Sequence, residues 1–418
     1  MIRGVPDGAL SHLRVLDLSR VLAGPWASQV LADLGAEVVK IERPGTGDES
    51  RGWGPPWVRG PAGEETRESA YFTCTNRGKR SVAVDLSRPE GQAIVRALAE
   101  RSDVLLENFK VGALAKLGLG FEDLSALNPR LVYCSITGFG QTGPYRHRPG
   151  YDFLLQGMGG LMSVTGEAEG PPLKVGVALT DVLTGMYAAT AVLAALAHRE
   201  RSGRGQHVDL ALLDVQVASL ANQAESYLVT GRPPPRLGNA HPSIVPYQAF
   251  EAADGHLVLA VGNDAQFGRL CEAVGRPEIA RDPRFATNAA RVRHRGELVA
   301  LLAPILAARP RREWITALEE AGVPCGPIND LAEVFEDAQV RHRGLRVEVP
   351  HPLAGKVPVV ASPIRLSATP VVHRAPPLLG EHTDEVLAGV LGMDTARIAA
   401  LRRDGVVGGA RPEETEDG

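Results

Sequence analysis

The chain runs to 418 residues, 44% of them hydrophobic, with 46 Gly and 31 Pro; that length exceeds one ordinary core and predicts two or three globular domains, not a disordered or low-complexity chain. Its 45 basic and 49 acidic residues leave a net charge of −4, which excludes a global electrostatic pull toward nucleic acid or an anionic membrane. Cys74, Cys134, Cys271 and Cys325 lie far apart without CxxC or Cys/His spacing, so they suggest neither a disulfide framework nor structural zinc and read as small buried hydrophobes in a reducing compartment.

The N-terminal residues lack a basic region followed by an apolar run, and no stretch of about 18 apolar residues stands out, so a soluble cytoplasmic protein is expected. Residues 13–18 (LRVLDL) alternate as a strand, Ala23-Gly24-Pro25 opens a helix through Ala32, and 37–41 (EVVKI) gives a second strand. Strand, helix and strand in about 30 residues make the βαβ unit of a parallel sheet. The pattern continues with strands at 81–86, 103–108 and 131–136 and a helix from Pro89 to Ala99. Residues 1–205 therefore read as the first part of a large, doubly wound, Rossmann-like α/β domain. A long helix is expected from Val208 to Thr230, and the prolines of GRPPPRLGNAHPS complete a linker over 206–240. A hairpin turning on Asp254-Gly255, then helices near 264–274, 296–308 and 311–321, predict a smaller α+β domain over 241–330. Short strands between Arg346 and Leu366 and a helix in LLGEHTDEVLAGVL return the chain to the large domain over 331–408. Residues 409–418 are expected to be a disordered tail.

Asp181 is the residue with the most chemical promise. The small apolar run Val175 to Leu179 precedes it, and an alanine-rich helical pattern follows, closing at Arg199, Arg201 and Gly203. An acidic side chain at a helix start is held ionised by free backbone N–H groups and by the helix dipole. Such a residue serves either as an N-cap or as a carboxylate nucleophile that must stay deprotonated.

Other constellations carry less. Gly138-Phe139-Gly140-Gln141-Thr142-Gly143 spells a dinucleotide fingerprint after a strand, but Pro144 and Pro149 prevent the helix that the fingerprint needs. The alternative is a glycine-rich loop whose backbone passes close to a ligand or to another strand. Arg43, Lys79, Arg80 and Lys116 are read at carboxyl ends of strands, where several cations suit a multiply phosphorylated ligand, although each is equally an ordinary surface residue. His241 and Ser243 in the loop GNAHPSIVPYQ are a donor pair able to bind a substrate carboxylate. No GxSxG elbow precedes a helix, and no His pair at i, i+4 brackets a carboxylate, so neither Ser-His-Asp catalysis nor a metal site is expected.

Six ordered segments together resemble the class III CoA-transferase family, which includes formyl-CoA and carnitine CoA-transferases. They are residues 18–56, NRGKRSVAVDL, the stretch from Glu107 to Pro144, the Asp181 segment, AGVPCGPIND and LLGEHTDEVL. The resemblance implies that Asp181 is the nucleophile, attacking an acyl-CoA thioester to pass through aspartyl anhydride and aspartyl-CoA thioester intermediates. It implies a CoA site lined by Leu22, Ala23, Arg43, Asn76, Lys79, Arg80, Asn108, Phe109, Lys116 and Gly138. Coenzyme A and its esters enter as substrates, with no tightly bound cofactor, and the implied assembly is an interlocked homodimer. Formyl-CoA transferase carries Gln at the position of Leu22, and its glycine-rich loop over the active site has no counterpart here, which argues against a formyl or oxalyl substrate.

Two readings compete. The α-methylacyl-CoA racemases of the family use Gly-His-Asp where this chain has Gly150-Tyr151-Asp152, and tyrosine, with an ordinary pKa of about 10, is a poor base at neutral pH. A non-catalytic CoA-ester-binding protein is the other. Within the transferases, GFGQTGPYRHRPGYD and the segments around Asp181 and His241 resemble the branch that passes CoA from succinyl-CoA to glutarate. That implies a dicarboxylate acceptor, with Arg148, Tyr151, His241 and Ser243 as substrate candidates.

Overall fold

The computed structural model describes residues 8–409, which divide into two compact units: the described parts of 1–160, 176–221 and 339–418, and residues 161–175 with 222–338. The first unit holds a seven-stranded sheet of β1 (Arg14–Asp17), β2 (Glu37–Glu42), β3 (Lys79–Val84), β4 (Val104–Glu107), β5 (Val132–Thr137), β6 (His207–Ala211) and β7 (Val407–Gly408). Their order across the sheet is β7-β3-β2-β1-β4-β5-β6. The first six strands are parallel, and β7 runs antiparallel on β3. The order of those six is the doubly wound one, and it reverses between β1 and β4, so the ligand crevice is expected outside the carboxyl ends of those two strands.

Both faces of this sheet are covered, which is why its strands read as continuous apolar runs. Val15, Val38, Val104 and Val132 enter one buried cluster with Ala27, Leu31 and Val192. The alternate positions Leu16, Val39, Leu105 and Tyr133 enter the other, with Ile94 and Leu98, as the period of two requires. Flanking helices are α1 (Ala23–Asp33), α2 (Pro89–Glu100), α3 (Asp152–Met158), α4 (Leu179–Ser202) and α5 (Leu212–Ser219).

Helix α4 is long and apolar enough to cross a membrane by length and composition alone, a stretch the sequence analysis did not single out. It packs on α1, burying Thr180, Thr184, Ala188, Val192, Ala195 and Arg199 at helical spacing. Gly185 permits the approach: a Cβ there would lie 2.7 Å from the Ala23 carbonyl oxygen and 2.9 Å from Trp26 Cβ. The start of α1 and the start of α4 are thereby brought together.

One expected element is wrong in kind. Residues 207–211 are not helical but form β6, parallel to β5, followed by the separate helices α5 and Ala221–Thr230. The alternation of Val208-Asp209-Leu210 is a strand signal hidden by the helix-forming text after it. This stretch belongs to the sheet and is not a linker.

The second unit has a three-stranded antiparallel sheet in the order Cys325–Pro327, Gly255–Ala260, Tyr247–Ala252. Phe250, Leu257, Phe267, Leu302 and Trp314 form its core with the helices Asp264–Ala273, Arg295–Ala307 and Arg311–Glu320. In the returning chain, a hairpin of Arg346–His351 and Gly355–Val360 and a helix Thr383–Leu391 precede β7. Residues 410–418 of the expected tail lie outside the described residues, and the Gly409 carbonyl accepts the Gly45 N–H. Cys134 and Cys271 are buried as expected, whereas Cys74 is exposed and Cys325 half-buried.

Candidate active site

At the carboxyl end of β1 the chain turns through Ser19-Arg20-Val21 into α1; at the end of β4 it turns through Asn108-Phe109-Lys110. Asn108 ties the two turns together, its Oδ1 accepting the Arg20 N–H at 2.9 Å and its Nδ2 donating to the Arg20 carbonyl at 2.7 Å. A cleft opens here at the strand-order reversal, and Leu22, Ala23, Asn108, Phe109, Gly138, Arg148, Tyr151 and Asp181 all line it. Through Arg20, Glu49, Trp53 and Phe109 it adjoins a cavity of about 760 Å³ whose wall includes Arg43, Asp85 and Ser87. The exposed Arg43 guanidinium makes no ion pair among the described residues.

Asp181 is the third residue of α4, and it does not cap the helix. Asp152, the first residue of α3, does so: its Oδ1 accepts the N–H groups of Thr180 at 2.8 Å and Asp181 at 3.3 Å, while its Oδ2 accepts Gln156 Nε2 at 2.7 Å. Thr180 is fixed further by donating its hydroxyl to Gln216 Oε1 at 2.6 Å. The Asp181 carboxylate accepts no hydrogen bond from the described protein and is half-buried at the cleft wall. Its burial, and then the nearby Asp152 carboxylate, push its pKa up to about 7. The expectation of a firmly ionised Asp181 is corrected here, because the helix N–H groups that would have held the charge are given to Asp152.

The glycine motif explains how Asp152 arrives. A Cβ on Gly138 would lie 2.7 Å from Gly150 Cα, and one on Gly150 would lie 2.6 Å from Gly138 Cα. Two bare backbones meet there, and Tyr151, exposed and extended, leads directly into α3. No helix follows Gly143, as Pro144 and Pro149 predict. Arg148 sits 4.5 Å from the Tyr145 ring centre and 5.4 Å from that of Phe139, held by ring faces with its charge unpaired by any described carboxylate.

Several expected ligand residues are elsewhere. Lys79 and Arg80 open β3 and so lie at the amino end of the sheet, not the carboxyl end. Lys79 is buried, its Nζ on Asp17 Oδ2 at 3.1 Å, the Pro25 carbonyl at 3.0 Å and Asn76 Oδ1 at 2.8 Å. Asn76 is fully buried in that same contact. Arg80 pairs with Glu37 and with Glu385. Lys116, exposed on a short 3-10 turn, lines neither cavity. His241 and Ser243 belong to the second unit, where the Ser243 N–H donates to His241 Nδ1 at 3.0 Å and the imidazole tilts on Tyr247.

Other residues reach the cleft without having been foreseen. Arg20, Trp53, Lys110, Arg146 and His147 line it; Arg20 and Lys110 stand beside the motif residues Leu22 and Phe109, which was the available signal. Tyr71, edge-on to Trp53, has its phenol pushed up to about 12 by burial and then by Asp181, which keeps it a hydrogen-bond donor.

The profile of CoA-transferase family III matches residues 10–383. The chain belongs to that family. It is a class III CoA-transferase, an enzyme. It is 54% identical over 380 residues to a succinate–glutarate CoA-transferase of Agrobacterium fabrum, covering 91% of this chain and 95% of the relative. It is 46% identical over 399 residues to the succinyl-CoA:glutarate CoA-transferase of Mus musculus, covering 95% and 90%. A CAIB/BAIF family protein from Brucella suis superposes with a TM-score of 0.82 at 47% identity, covering 93% of this chain and all of that one. The mixed α/β architecture on a parallel sheet is thus that of the family.

Proposed function

We propose that this class III CoA-transferase moves CoA from succinyl-CoA to a glutarate-like dicarboxylic acid, with Asp181 as the nucleophile and a homodimer as the working assembly. The observation that carries the reading is the Asp181 carboxylate, facing a cleft at the strand-order reversal with no donor on it from the described residues. The names of the relatives support the substrates.

An Asp181 oxygen attacks the thioester carbonyl carbon, the carbon–sulfur bond breaks, and CoA leaves as thiolate with succinyl-aspartyl anhydride behind it. The thiolate attacks the aspartyl carbonyl and expels succinate, giving aspartyl-CoA thioester. The acceptor carboxylate then attacks that carbonyl, forming a second anhydride and releasing the thiolate. Attack of the thiolate on the acceptor carbonyl yields the new CoA ester and regenerates Asp181. Every step exchanges activated acyl species of similar energy, so no ATP is consumed.

Arg43, exposed and in no described salt bridge, answers the CoA phosphates in this reading, and Leu22, Ala23, Asn108, Phe109 and Gly138 shape the cleft around the thioester arm. Arg148, whose guanidinium has no carboxylate partner among the described residues, holds the non-reacting carboxylate of the acceptor. The expected roles of Lys79 at the CoA phosphates and of Asn76 in the CoA-site lining are withdrawn, because both are spent on buried contacts.

Intact-protein mass spectrometry with succinyl-CoA, hydroxylamine trapping and a panel of carboxylic acids tests the proposal. A trapped adduct on Asp181 together with glutaryl-CoA is expected, and both are absent in Asp181→Ala. Proton exchange at the α-carbon of a branched acyl-CoA, without any new ester, would overturn it.

A further inference from the structure

Four consecutive backbone groups in the turn between β1 and α1 are held by side chains from elsewhere in the fold. The Ser19 carbonyl accepts Lys40 Nζ at 2.8 Å, the Arg20 N–H and carbonyl are both taken by Asn108, and the Val21 N–H points at the two oxygens of Asp48 at 3.2 and 3.3 Å. Lys40 and Asp48 are themselves a pair, Nζ to Oδ2 at 2.9 Å, and both side chains are wholly out of solvent. Asp48 Oδ1 also accepts the N–H of Ser50 at 3.0 Å and its hydroxyl at 2.8 Å. One carboxylate thus serves the Val21 N–H, the Ser50 N–H, the Ser50 hydroxyl and the Lys40 ammonium.

The turn needs this restraint. Val21 has φ of +71°, a left-handed conformation that a β-branched side chain avoids. The next residue, Leu22, starts α1 with φ −134° and ψ −60° and no side-chain cap. Val21, Leu22 and Ala23 all line the cleft that Asp181 faces. A strained segment persists only where its surroundings over-determine it, and here they do so in the wall of the cleft that also holds Asp181.

We infer that the buried Lys40–Asp48 pair is a positioning device for CoA transfer, holding Val21 in its left-handed conformation so that Leu22 and Ala23 present a fixed wall to the thioester. The inference rests on the reading of the cleft as the acyl-CoA site. Neither Lys40 nor Asp48 touches the reacting atoms; they act through the Val21 backbone. An amide in place of the carboxylate has one acceptor oxygen for donors that now occupy two, so Asp48→Asn must turn an N–H₂ toward one of them.

The experiment measures kcat, KM and thermal midpoint for Asp48→Asn, Val21→Gly and the two combined, with crystal structures of the single variants. Asp48→Asn is expected to lower kcat at least tenfold with KM for succinyl-CoA changed less than threefold, since the wall and not the CoA grip is lost. Val21→Gly alone gives the reference kcat against which the double variant is read, because glycine adopts positive φ freely and needs no restraint from Asp48. Glycine at 21 in the Asp48→Asn chain recovers at least fivefold of the lost kcat without recovering the thermal midpoint, a separation that a merely structural pair would not produce. Unchanged kcat in Asp48→Asn, or no recovery with glycine, overturns the positioning role. Should Asp48→Asn leave Lys40 too poorly paired to fold, the charge-balanced Lys40→Met with Asp48→Asn is read the same way. A parent enzyme inactive with every acyl-CoA would instead sink the functional reading, and the positioning role is then judged by the Asp48→Asn structure, where Val21 retaining positive φ refutes it.

Discussion

Beneath the carboxyl ends of the parallel strands and on the cleft surface beside them, the same residue types serve opposite purposes. Under and behind the carboxyl ends, Asp17 with Lys79, Lys40 with Asp48, and Arg51 with Glu42 are charges withdrawn from water and matched. On the cleft surface, Asp181 and Arg148 have no described ion-pair partner, and Arg43 interacts with Asp85 without closing a salt bridge. Asp17 shows the matched case: burial opposes its charge, yet Lys79 and Lys40 hold its pKa down to about 2. Asp181 shows the other, where burial has no cation against it and the pKa rises to about 7. The lesson is that a charged residue in a sequence motif announces either a buried strut or a ligand contact, and that the local supply of counter-charge decides which.

The sharpest way to break the comparison is to substitute one residue from each class. Lys79→Met leaves Asp17 buried with its first cation gone and is expected to cost about 3–5 kcal/mol of stability, read by chemical denaturation, while the surviving folded fraction keeps its KM for succinyl-CoA. Arg43→Ala is expected to do the reverse: KM rises about tenfold, equivalent to about 1.4 kcal/mol for one phosphate contact, with the denaturation midpoint unmoved. Loss of CoA affinity in Lys79→Met beyond its unfolded fraction would return that residue to the ligand site.

Asp152→Asn sharpens the comparison within the cleft. The amide oxygen still accepts the Thr180 N–H, but the like charge beside Asp181 is gone. Because the proposed reaction needs Asp181 ionised, kcat/KM should rise with pH through about 7 in the parent, and the acid limb should move down by on the order of one pH unit in the variant. The sign for stability follows from the same shift. Asp181 has a folded-state pKa above its unfolded one, so its contribution is full below about pH 4 and is lost as pH rises through about 7. Asp181→Asn should therefore flatten that part of the stability profile. The smallest effect belongs to Arg80→Ala: its pairs with Glu37 and Glu385 are partly solvated, so less than about 1 kcal/mol is expected, with no change in KM.

Much of this was legible in the text of the chain. The strands of the large sheet announce themselves as apolar runs between turn residues, because a sheet covered on both faces has no polar side to show. His207 to Ala211 escaped because a five-residue strand continuous with an apolar helical pattern gives no boundary signal. Asp181 could be singled out because a carboxylate follows a small-residue approach and precedes a helix, and the family resemblance implied a nucleophile at that position. Asn76 and Lys79, by contrast, sit in a motif as distinctive as that of Asp181, and nothing in the motif tells that Lys79 turns inward to Asp17, a partner 62 residues away.

Taken alone, then, the sequence determined the α/β class and the family and singled out Asp181 as the candidate nucleophile, since each rests on local periodicity or on residues contiguous in the chain. Tertiary structure alone decided which aspartate caps α4, which cations are struts and which face the cleft, and why Val21 stands in a left-handed turn. Those properties depend on groups far apart in sequence: desolvation and counter-charge are set by what folding brings within a few ångströms, and no single segment carries that information.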